Sequence, residues 1–295
     1  MKALLDADIL CYRVGFATED EHENTAIETM AVFLEDLLMF DLVDTDDHEL
    51  FLTGKTNFRN EVAVTVPYKG NRKDVKKPKH LPLLREYLQT AWGASVSDGQ
   101  EADDDIAIRA TELGEESIIV SIDKDFLQVP GWHYNFVKKE KKFVTPEEGL
   151  RFFYKQILMG DAADNIKGMP RVGVVKSEKM LAPFQTEKEF YACCVEGLGA
   201  ERVLENGRLL WLRRKPNDTW EPPNEVDTEM PDLGATNPDT CRILINKKLT
   251  GQDRDVTFHH ELVHAIMFTM GERDHDERFV EGFAQLLHQY EQQKV

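Results

Sequence analysis

The chain has 295 residues, of which 41% are hydrophobic and 31% are charged, a composition typical of a soluble globular protein. No apolar run approaches the roughly 18 residues of a membrane span, and the N-terminus lacks the apolar core of a signal peptide. We therefore expect a cytoplasmic protein with no membrane partner. The four cysteines, Cys11, Cys193, Cys194 and Cys241, show no CxxC spacing, which predicts free thiols in a reducing compartment.

The net charge of −18 argues at first against a nucleic-acid partner, because phosphate binding usually needs a basic surface. The charges are clustered, however. Basic runs extend from Lys69 to Lys79 and from Lys138 to Lys142, and acids bunch between Glu101 and Asp105. Bunched carboxylates repel one another unless cations join them. The pattern favours an acidic metal centre beside phosphate-binding loops; two solvated lysine-rich loops are the plainer alternative.

Predicted strands and helices alternate over the first 145 residues. We predict strands at 2–6, 48–53, 94–96 and 117–122, helices at 26–42, 83–92 and 102–113, and a loop or arch at 57–82. This alternation indicates an α/β domain with a mostly parallel sheet. In such sheets, sites gather at the carboxyl ends of the strands.

From Pro146 the pattern becomes helical and continues to about Arg213. Residues 216–238 contain five prolines and many polar residues, which predicts a linker. A predicted strand at 241–246 and a predicted helix at 256–269 follow. We therefore expect three domains, at 1–145, 146–222 and 223–295.

Eight acids are candidate catalytic and metal-binding residues. Three of them, Asp6, Asp123 and Asp125, end or directly follow predicted strands. The full set is Asp6, Glu101, Asp103, Asp104, Asp123, Asp125, Asp161 and Asp164. Mg²⁺ prefers hard oxygen ligands, and two such ions can activate water and stabilise a leaving oxygen. Any one acid could merely complement a helix dipole, but the ordered set indicates metal chemistry.

Five segments carry a family resemblance: LLDADILCYR, PYKGNRKD, GQEADDDIAIRA, VSIDKDFLQV and QILMGDAADNIKGMPRVGVVKSEKML. In this order they resemble the phage-type flap endonuclease and 5′–3′ exonuclease family, which is related to the 5′-nuclease domain of bacterial DNA polymerase I. The resemblance covers roughly residues 1–222. It implies a PIN-like domain with flanking helices and a helix–three-turn–helix DNA-binding subdomain. It also implies two-metal hydrolysis of DNA at 5′ ends or flaps, and a phage or prophage origin.

The same resemblance assigns roles to residues. Asp6, Glu101, Asp103 and Asp104 match acids around a first Mg²⁺ or Mn²⁺ ion, and Asp123, Asp125, Asp161 and Asp164 match those of a second. Lys69 and Arg72 match basic residues that draw in the scissile phosphate. The implied DNA-binding residues are Lys69, Arg72, Lys73, Gly168, Arg171, Gly173 and Lys176. A potassium ion in the helix–three-turn–helix is implied as well.

Two departures from the family pattern stand out. The family usually has another Asp after the second strand, but here that strand runs into Thr53 and Gly54. Lys167 and Arg171 stand where Pro and Gly are usual in the hairpin turn. Both of these changes add positive charge, which is consistent with phosphate contact, but they put the turn geometry in question.

The C-terminal part contains an HExxH match on a predicted apolar helix. His260 and His264 lie one helical turn apart, so they can share a zinc ion, and Glu261 can polarise its water. Glu277 is a candidate third ligand, and Glu281 could orient a ligating histidine. The segment resembles a minimal gluzincin metallopeptidase, which implies a small α+β zincin-like fold. The alternative is a solvated helix in which the match arose by chance.

Three functional hypotheses remain open from the sequence. The leading one is a 5′ nuclease with an appended zinc-binding, metallopeptidase-like domain that acts on a peptide substrate. The second is a DNA-structure-binding protein whose nuclease centre is weakened by the missing Asp. The third is a zinc metallopeptidase targeted to DNA by a weakened nuclease-like domain. The zinc could equally be structural, because so short a segment buries little core.

Overall fold

A computed structural model describes residues 1–42, 45, 47–72, 75–223, 234–236, 243–245, 251–270 and 277–292. The chain divides into two compact units, Met1–Pro222 and Pro223–Val295. The boundary falls inside the proline-rich segment 216–238.

The first unit is built on a six-stranded sheet. Its strands are β1 (Lys2–Asp6), β2 (Asp47–Leu52), β3 (Ser95–Val96), β4 (Ser117–Val120), β5 (Gly131–Asn135) and β6 (Glu140–Val144). Their order is β3-β2-β1-β4-β5-β6, and all neighbours are parallel except the β5–β6 hairpin. The mostly parallel sheet and its first four strands confirm the prediction. The hairpin was not predicted, because β6 (EKKFV) is an exposed, charged edge strand without an apolar run.

Helices cover both faces of this sheet. They are α1 (Ala7–Ala17), α2 (Glu23–Asp36), α3 (Arg59–Val62), α4 (Leu81–Ala91) and α5 (Ala102–Leu113), and α2 continues as a π-helical turn, Leu37–Asp41. The sequence did not predict α1, whose residues ADILCYRVGFA lack a clear polar stripe. The segment expected to be a loop contains the short helix α3 and a 3₁₀ turn, Gly70–Arg72.

Alternation along β1 explains how two cores form. Ala3 and Leu5 pack with side chains of α1, α2 and α4, whereas Leu4 packs with α5. Successive side chains of a strand point to opposite faces, so the fully apolar stretch ALL serves both cores. The carboxyl ends of β1 and β4 are thereby left between two helical layers, and Asp6 and Asp123 lie there.

The remainder of the first unit is helical, with one short hairpin. Its elements are α6 (Pro146–Met159), β7 (Gly160–Asp161), β8 (Ile166–Lys167), α7 (Val174–Leu181), α8 (Glu187–Leu198) and α9 (Ala200–Leu210). A capping box between Thr145 and Glu148 begins α6, and Gly160, with φ 68°, ends it. The aromatic side chains of Phe153, Tyr154 and Trp220 form the centre of this core.

The second unit is small. It contains the antiparallel strands β9 (Gly234–Thr236) and β10 (Ile243–Ile245) and the helices α10 (Gly251–Thr269) and α11 (Glu277–Gln292). Val263, Val280 and Ala284 are buried between the two helices. Over the whole described chain, no helix is both long and apolar enough to cross a membrane.

Candidate metal centre and nucleic-acid interface

The acidic centre begins where β1 and β4 end. Asp6 caps α1 by accepting a hydrogen bond from the Ile9 amide (3.2 Å) and a second one from the Ser121 hydroxyl (2.9 Å). The same hydroxyl accepts from the Asp123 amide (3.0 Å). Ser121 therefore links the two strand-end acids, and parallel pairing of β1 with β4 holds them side by side.

Asp103 faces these acids from the first turn of α5. Burial, and then the charges of Asp6, Glu101 and Asp123, hold the pKa of Asp103 well above its usual range. Burial, and then the charges of Asp8 and Asp123, raise the pKa of Asp6 to about 7. The carboxylates repel one another in the protein alone, which is the condition a divalent cation relieves.

Glu101 and Asp164 are bridged by two side chains of the segment that precedes Arg72. The Tyr68 hydroxyl lies 2.9 Å from Glu101 and 2.8 Å from Asp164. A hydroxyl donates only one proton, so one of these two contacts requires a protonated carboxyl group. Asp164 is the candidate for that group, because burial raises its pKa. The Lys69 ammonium forms an ion pair with Glu101 and lies 3.7 Å from Asp164.

Asp125 and Asp161 are joined in the same way by a lysine. The Lys124 ammonium lies 2.8 Å from Asp125 and 2.9 Å from Asp161. Burial, and then the neighbouring charge of Asp123, raise the pKa of Asp125 to about 6. Burial would also raise the pKa of Asp161, but hydrogen bonding and the charge of Lys124 lower it.

Asp104 is placed differently from the other seven acids. It is fully buried and forms a two-pronged ion pair with Arg59, with contacts of 2.5 and 2.8 Å. Burial alone would raise the pKa of Asp104, but the Arg59 guanidinium lowers it. Asp104 thus lies beneath the site, while Asp103, one residue earlier, takes part in it.

The donor set fits Mg²⁺ or Mn²⁺ in its chemistry. Its groups are hard carboxylate oxygens, which these ions prefer. The clustered carboxylates carry excess negative charge, and they repel one another unless a cation binds. Among the residues with described side chains, no three His, Cys, Asp or Glu groups are already close enough to hold a metal ion. Lys69 and Lys124 instead supply the positive charge between pairs of acids.

The predicted DNA-binding residues come from two segments of the chain, 69–73 and 168–176. Arg72 forms an ion pair with Asp164 at 2.6 Å, and Lys176 is exposed on α7. Arg171 adopts φ 62°, the left-handed conformation that favours glycine, at the position where the resemblance implies Gly. Lys73 lies outside the described residues.

The two glycines in that set differ in their surroundings. Gly173 precedes α7 and has open space around its Cα. At Gly168 an added Cβ would lie 2.0 Å from the backbone of Met159, so this glycine allows the turn to pack against the end of α6.

The position of the missing Asp is occupied by a hydrogen-bonded corner. The Thr53 hydroxyl accepts from the Ala102 amide (3.0 Å), and the Thr53 amide donates to Asp8 (2.7 Å), which is also paired with Arg85. A Cβ added at Gly54 would lie 2.0 Å from the Ser97 carbonyl oxygen, so no side chain fits there. The carboxylate found at this corner is therefore that of Asp8, which is held by the Thr53 amide and Arg85.

The site residues missed by sequence reasoning include Arg59, Tyr68 and Lys124. Lys124 carried a signal, because it stands between two candidate ligands in IDKD. Tyr68 directly precedes Lys69 and could have been inferred with it. Arg59 carried none, since its partners Leu209 and Trp211 are 150 and 152 residues away in sequence.

In the second unit, the histidines of the HExxH motif converge. The Nε2 atoms of His260 and His264 lie 3.1 Å apart on α10. Glu261 is buried and accepts from the Thr236 hydroxyl at 2.8 Å. The side chain of Glu277 lies outside the described residues, although Glu277 is the first residue of α11.

The fold and the acids at the carboxyl edge of its parallel sheet define a PIN-like α/β class. Residues 2–193 match the family of 5′-3′ exonuclease N-terminal resolvase-like domains. The chain belongs to that family.

Individual relatives agree with this assignment. The chain is 31% identical over 231 residues to the DNA polymerase I of Bacillus caldotenax. This match covers 70% of this chain and 26% of the polymerase. The chain thus spans about a quarter of that relative. It is 27% identical over 208 residues to the 5′-3′ exonuclease of Buchnera aphidicola, which covers 64% of this chain and 72% of that protein.

Solved structures show the same fold. The 5′-exonuclease of bacteriophage T5 with bound zinc matches with a TM-score of 0.56 and 18% identity, over 71% of this chain and 89% of that chain. The T5 flap endonuclease with DNA and metal ions matches with a TM-score of 0.54 and 19% identity, over 71% and 88%. Neither match extends over the whole chain.

Proposed function

We propose that this chain is a divalent-metal-dependent 5′–3′ exonuclease or flap endonuclease that hydrolyses DNA phosphodiester bonds. The observation that carries the proposal is the meeting of Asp6 and Asp123, which the Ser121 hydroxyl links at the ends of β1 and β4, with Asp103 facing them from α5. Burying like charges together costs stability unless a cation compensates them, so their accumulation favours a functional rather than a structural origin.

Two Mg²⁺ or Mn²⁺ ions would supply an activated water and stabilise the leaving oxygen. Seven acids are the groups that would hold these ions: Asp6, Glu101, Asp103, Asp123, Asp125, Asp161 and Asp164. Lys69 and Arg72, which already lie against the Asp164 carboxylate, would bind the scissile phosphate. Lys124 holds Asp125 and Asp161 together in the protein alone.

DNA with a 5′ end or flap is the substrate class we propose, by analogy with the relatives. The turn before α7 is suited to contact the phosphate backbone of DNA. Arg171 and Lys176 are exposed there and the surroundings of Gly173 are open. The resemblance places a potassium ion at the same turn. The test is cleavage of 5′-labelled flap and blunt duplexes with Mg²⁺, with EDTA as control. Cleavage that persists in EDTA, or none on any 5′-ended DNA, would reject the proposal.

A zinc site in the C-terminal unit is supported by one observation. The 3.1 Å approach of the His260 and His264 Nε2 atoms is the arrangement that two histidine ligands of one zinc ion need. We propose one zinc ion held by His260 and His264, with Glu277 as third ligand. Glu261 would be the general base in a metallopeptidase; its contact with Thr236 would then have to give way.

Metal analysis of the full-length protein tests the zinc site. One equivalent of zinc, lost in His264→Ala, is expected. Glu261→Gln then separates the roles, because a peptidase would keep zinc and lose turnover on a peptide library, whereas a structural site would show no turnover in either protein. Zinc content indifferent to both histidines would leave the motif as a chance match. Peptide turnover without DNA cleavage would favour the alternative, a zinc metallopeptidase targeted to DNA.

A further inference from the structure

Arg59 is a charged side chain held entirely inside the protein. It is 1% exposed, and its guanidinium donates to both Asp104 oxygens and to the carbonyl oxygens of Leu209 and Trp211, each of these two at 2.8 Å. Such two-pronged pairing fixes geometry as well as charge. Arg59 therefore ties the start of α5 to the end of α9.

The Asp104 carboxylate has no acceptor capacity to spare. Besides the two bonds from Arg59, it accepts from the amides of Glu101 (3.1 Å) and Arg213 (3.2 Å). A carboxylate offers about four acceptor positions, and four donors already use them. Binding a metal ion would require this buried group to break bonds with a buried guanidinium.

Helix geometry separates Asp104 from its neighbour. Consecutive residues of a helix are about 100° apart, so Asp103 and Asp104 project in different directions from the same turn. Asp103 projects toward Asp6 and Asp123, whose charges act on it, while Asp104 projects toward Arg59. One face of this turn serves the site and the adjacent face anchors the turn.

We propose, on the basis of the proposed function, that Asp104 is a positioning residue that acts through Arg59 and is not a metal ligand. The pair fixes the first turn of α5, so that Glu101 and Asp103 hold their carboxylates at the metal centre. Arg59 takes part in this directly, because its Nη1 also lies 3.9 Å from Glu101.

The first test replaces the charged pair by a neutral, hydrogen-bonding one, Arg59→Gln with Asp104→Asn. This double variant leaves no buried charge unpaired, which is the usual reason that single variants at such sites fail to fold. Mn²⁺ binding to the full-length protein without DNA is measured by calorimetry. We expect the number of bound ions to be unchanged and the affinity to fall by about 10- to 100-fold, as for loss of a group that orients ligands, whereas Asp103→Asn should lose one ion. A double variant that loses an ion, as we expect of Asp103→Asn, would overturn the proposal.

The second test is Arg59→Lys, which keeps every acid and the positive charge but cannot pair with both oxygens. Displacing a group that orients metal ligands costs about 10- to 100-fold in metal affinity, and a fall in that range is expected for Mn²⁺. Unchanged Mn²⁺ affinity in Arg59→Lys would contradict positioning by this pair. Wild-type protein that binds no Mn²⁺ would instead reject the proposed function, so the two failures are distinguishable.

Discussion

The ammonium group of Lys124 lies 2.9 Å from the carboxylate of Asp161 and joins the end of β4 to the hairpin that follows α6. The same ammonium is 2.8 Å from Asp125. A lysine thus provides, in the protein alone, the positive charge that brings two proposed ligands of one metal ion together. Protein cation and metal ion would then compete for the same carboxylates.

This competition predicts the behaviour of Lys124→Met. Without the ammonium, Asp125 and Asp161 lose their cation, so the metal-free protein should melt at a lower temperature. Mg²⁺ should bind more tightly, because no internal cation has to be displaced. Thermal melting at increasing Mg²⁺ measures both effects, and the melting temperature should rise more steeply in the variant than in the wild type.

Lys76→Met is the matched control. Lys76 is also exposed and paired with one carboxylate, Glu19, but the two lie outside the acidic centre. Surface pairs of this kind contribute about 0–1 kcal/mol, so its melting curves should respond to Mg²⁺ as the wild type does. If the two lysine variants respond alike, Lys124 has no special relation to a metal ion.

A second prediction concerns the acids that follow β4. Asp123→Asn with Asp125→Asn should abolish Mg²⁺-dependent cleavage and leave DNA binding largely intact, because phosphate contacts rather than these acids position the DNA. Removing two mutually repelling carboxylates should also raise the melting temperature of the metal-free protein. Cleavage, DNA affinity and melting in EDTA are the measurements.

The control lies at the other end of the same strand. Glu115 and Glu116 are exposed immediately before β4, and Glu115→Gln with Glu116→Gln changes the net charge equally. Cleavage should survive in this control. Magnesium-dependent cleavage that also survived in the Asp123 and Asp125 variant would remove these acids from the active site.

The sequence predicted those features of the fold that depend on local pattern. Apolar runs such as SIIV mark buried parallel strands. Asp6 ends β1 and Asp123 lies three residues beyond β4, so the sheet edge at which the acids gather was predictable. The β5–β6 hairpin was not, because its outer strand alternates charged residues at a solvated edge and lacks the signal of burial.

The roles of neighbouring acids were harder to predict. Residues 103–105 are three consecutive aspartates, which the sequence alone does not distinguish. In the structure, Asp104 pairs with Arg59 and Asp105 accepts a hydrogen bond from Gln100. Which acid faces the site depends on helix phase and on partners far away in sequence. Only the tertiary structure supplies both.

A third prediction separates phosphate-binding residues from solvated ones. Lys69→Ala with Arg72→Ala should weaken DNA binding and flatten its dependence on salt, because each phosphate that is no longer neutralised lowers the slope by about one. Lys138→Ala with Lys139→Ala, at the β5–β6 turn, is the control, and its slope should match that of the wild type. Binding is measured in EDTA over a range of salt concentrations. Equal slopes in wild type and the Lys69 and Arg72 variant would make the first basic run a solvated loop.

The last prediction concerns the acid sensitivity of the sheet. His133 on β5 is 8% exposed, and its Nε2 lies 2.8 Å from the Val129 carbonyl oxygen. Burial, aided by the nearby charges of Lys142 and Arg214 and opposed by Val129, lowers the pKa of His133 from 6.5 to about 4. The folded protein thus keeps this imidazole neutral in a pH range where the unfolded chain protonates it.

Stability should therefore fall as the pH drops from 6.5 toward 4, because the unfolded state binds the extra proton. The shift corresponds to about 3 kcal/mol of unfolding free energy at the acidic end of that window. His133→Gln keeps a donor for the Val129 carbonyl and removes the titrating group, so the stability of this variant should decline less on acidification. The control is His22→Asn, at the exposed cap of α2, whose stability should decline like that of the wild type. Urea unfolding in EDTA between pH 7 and pH 4 measures the difference, in which the contribution of the acidic centre cancels. Parallel curves for wild type and His133→Gln would show that the buried imidazole does not set the acid limit of this fold.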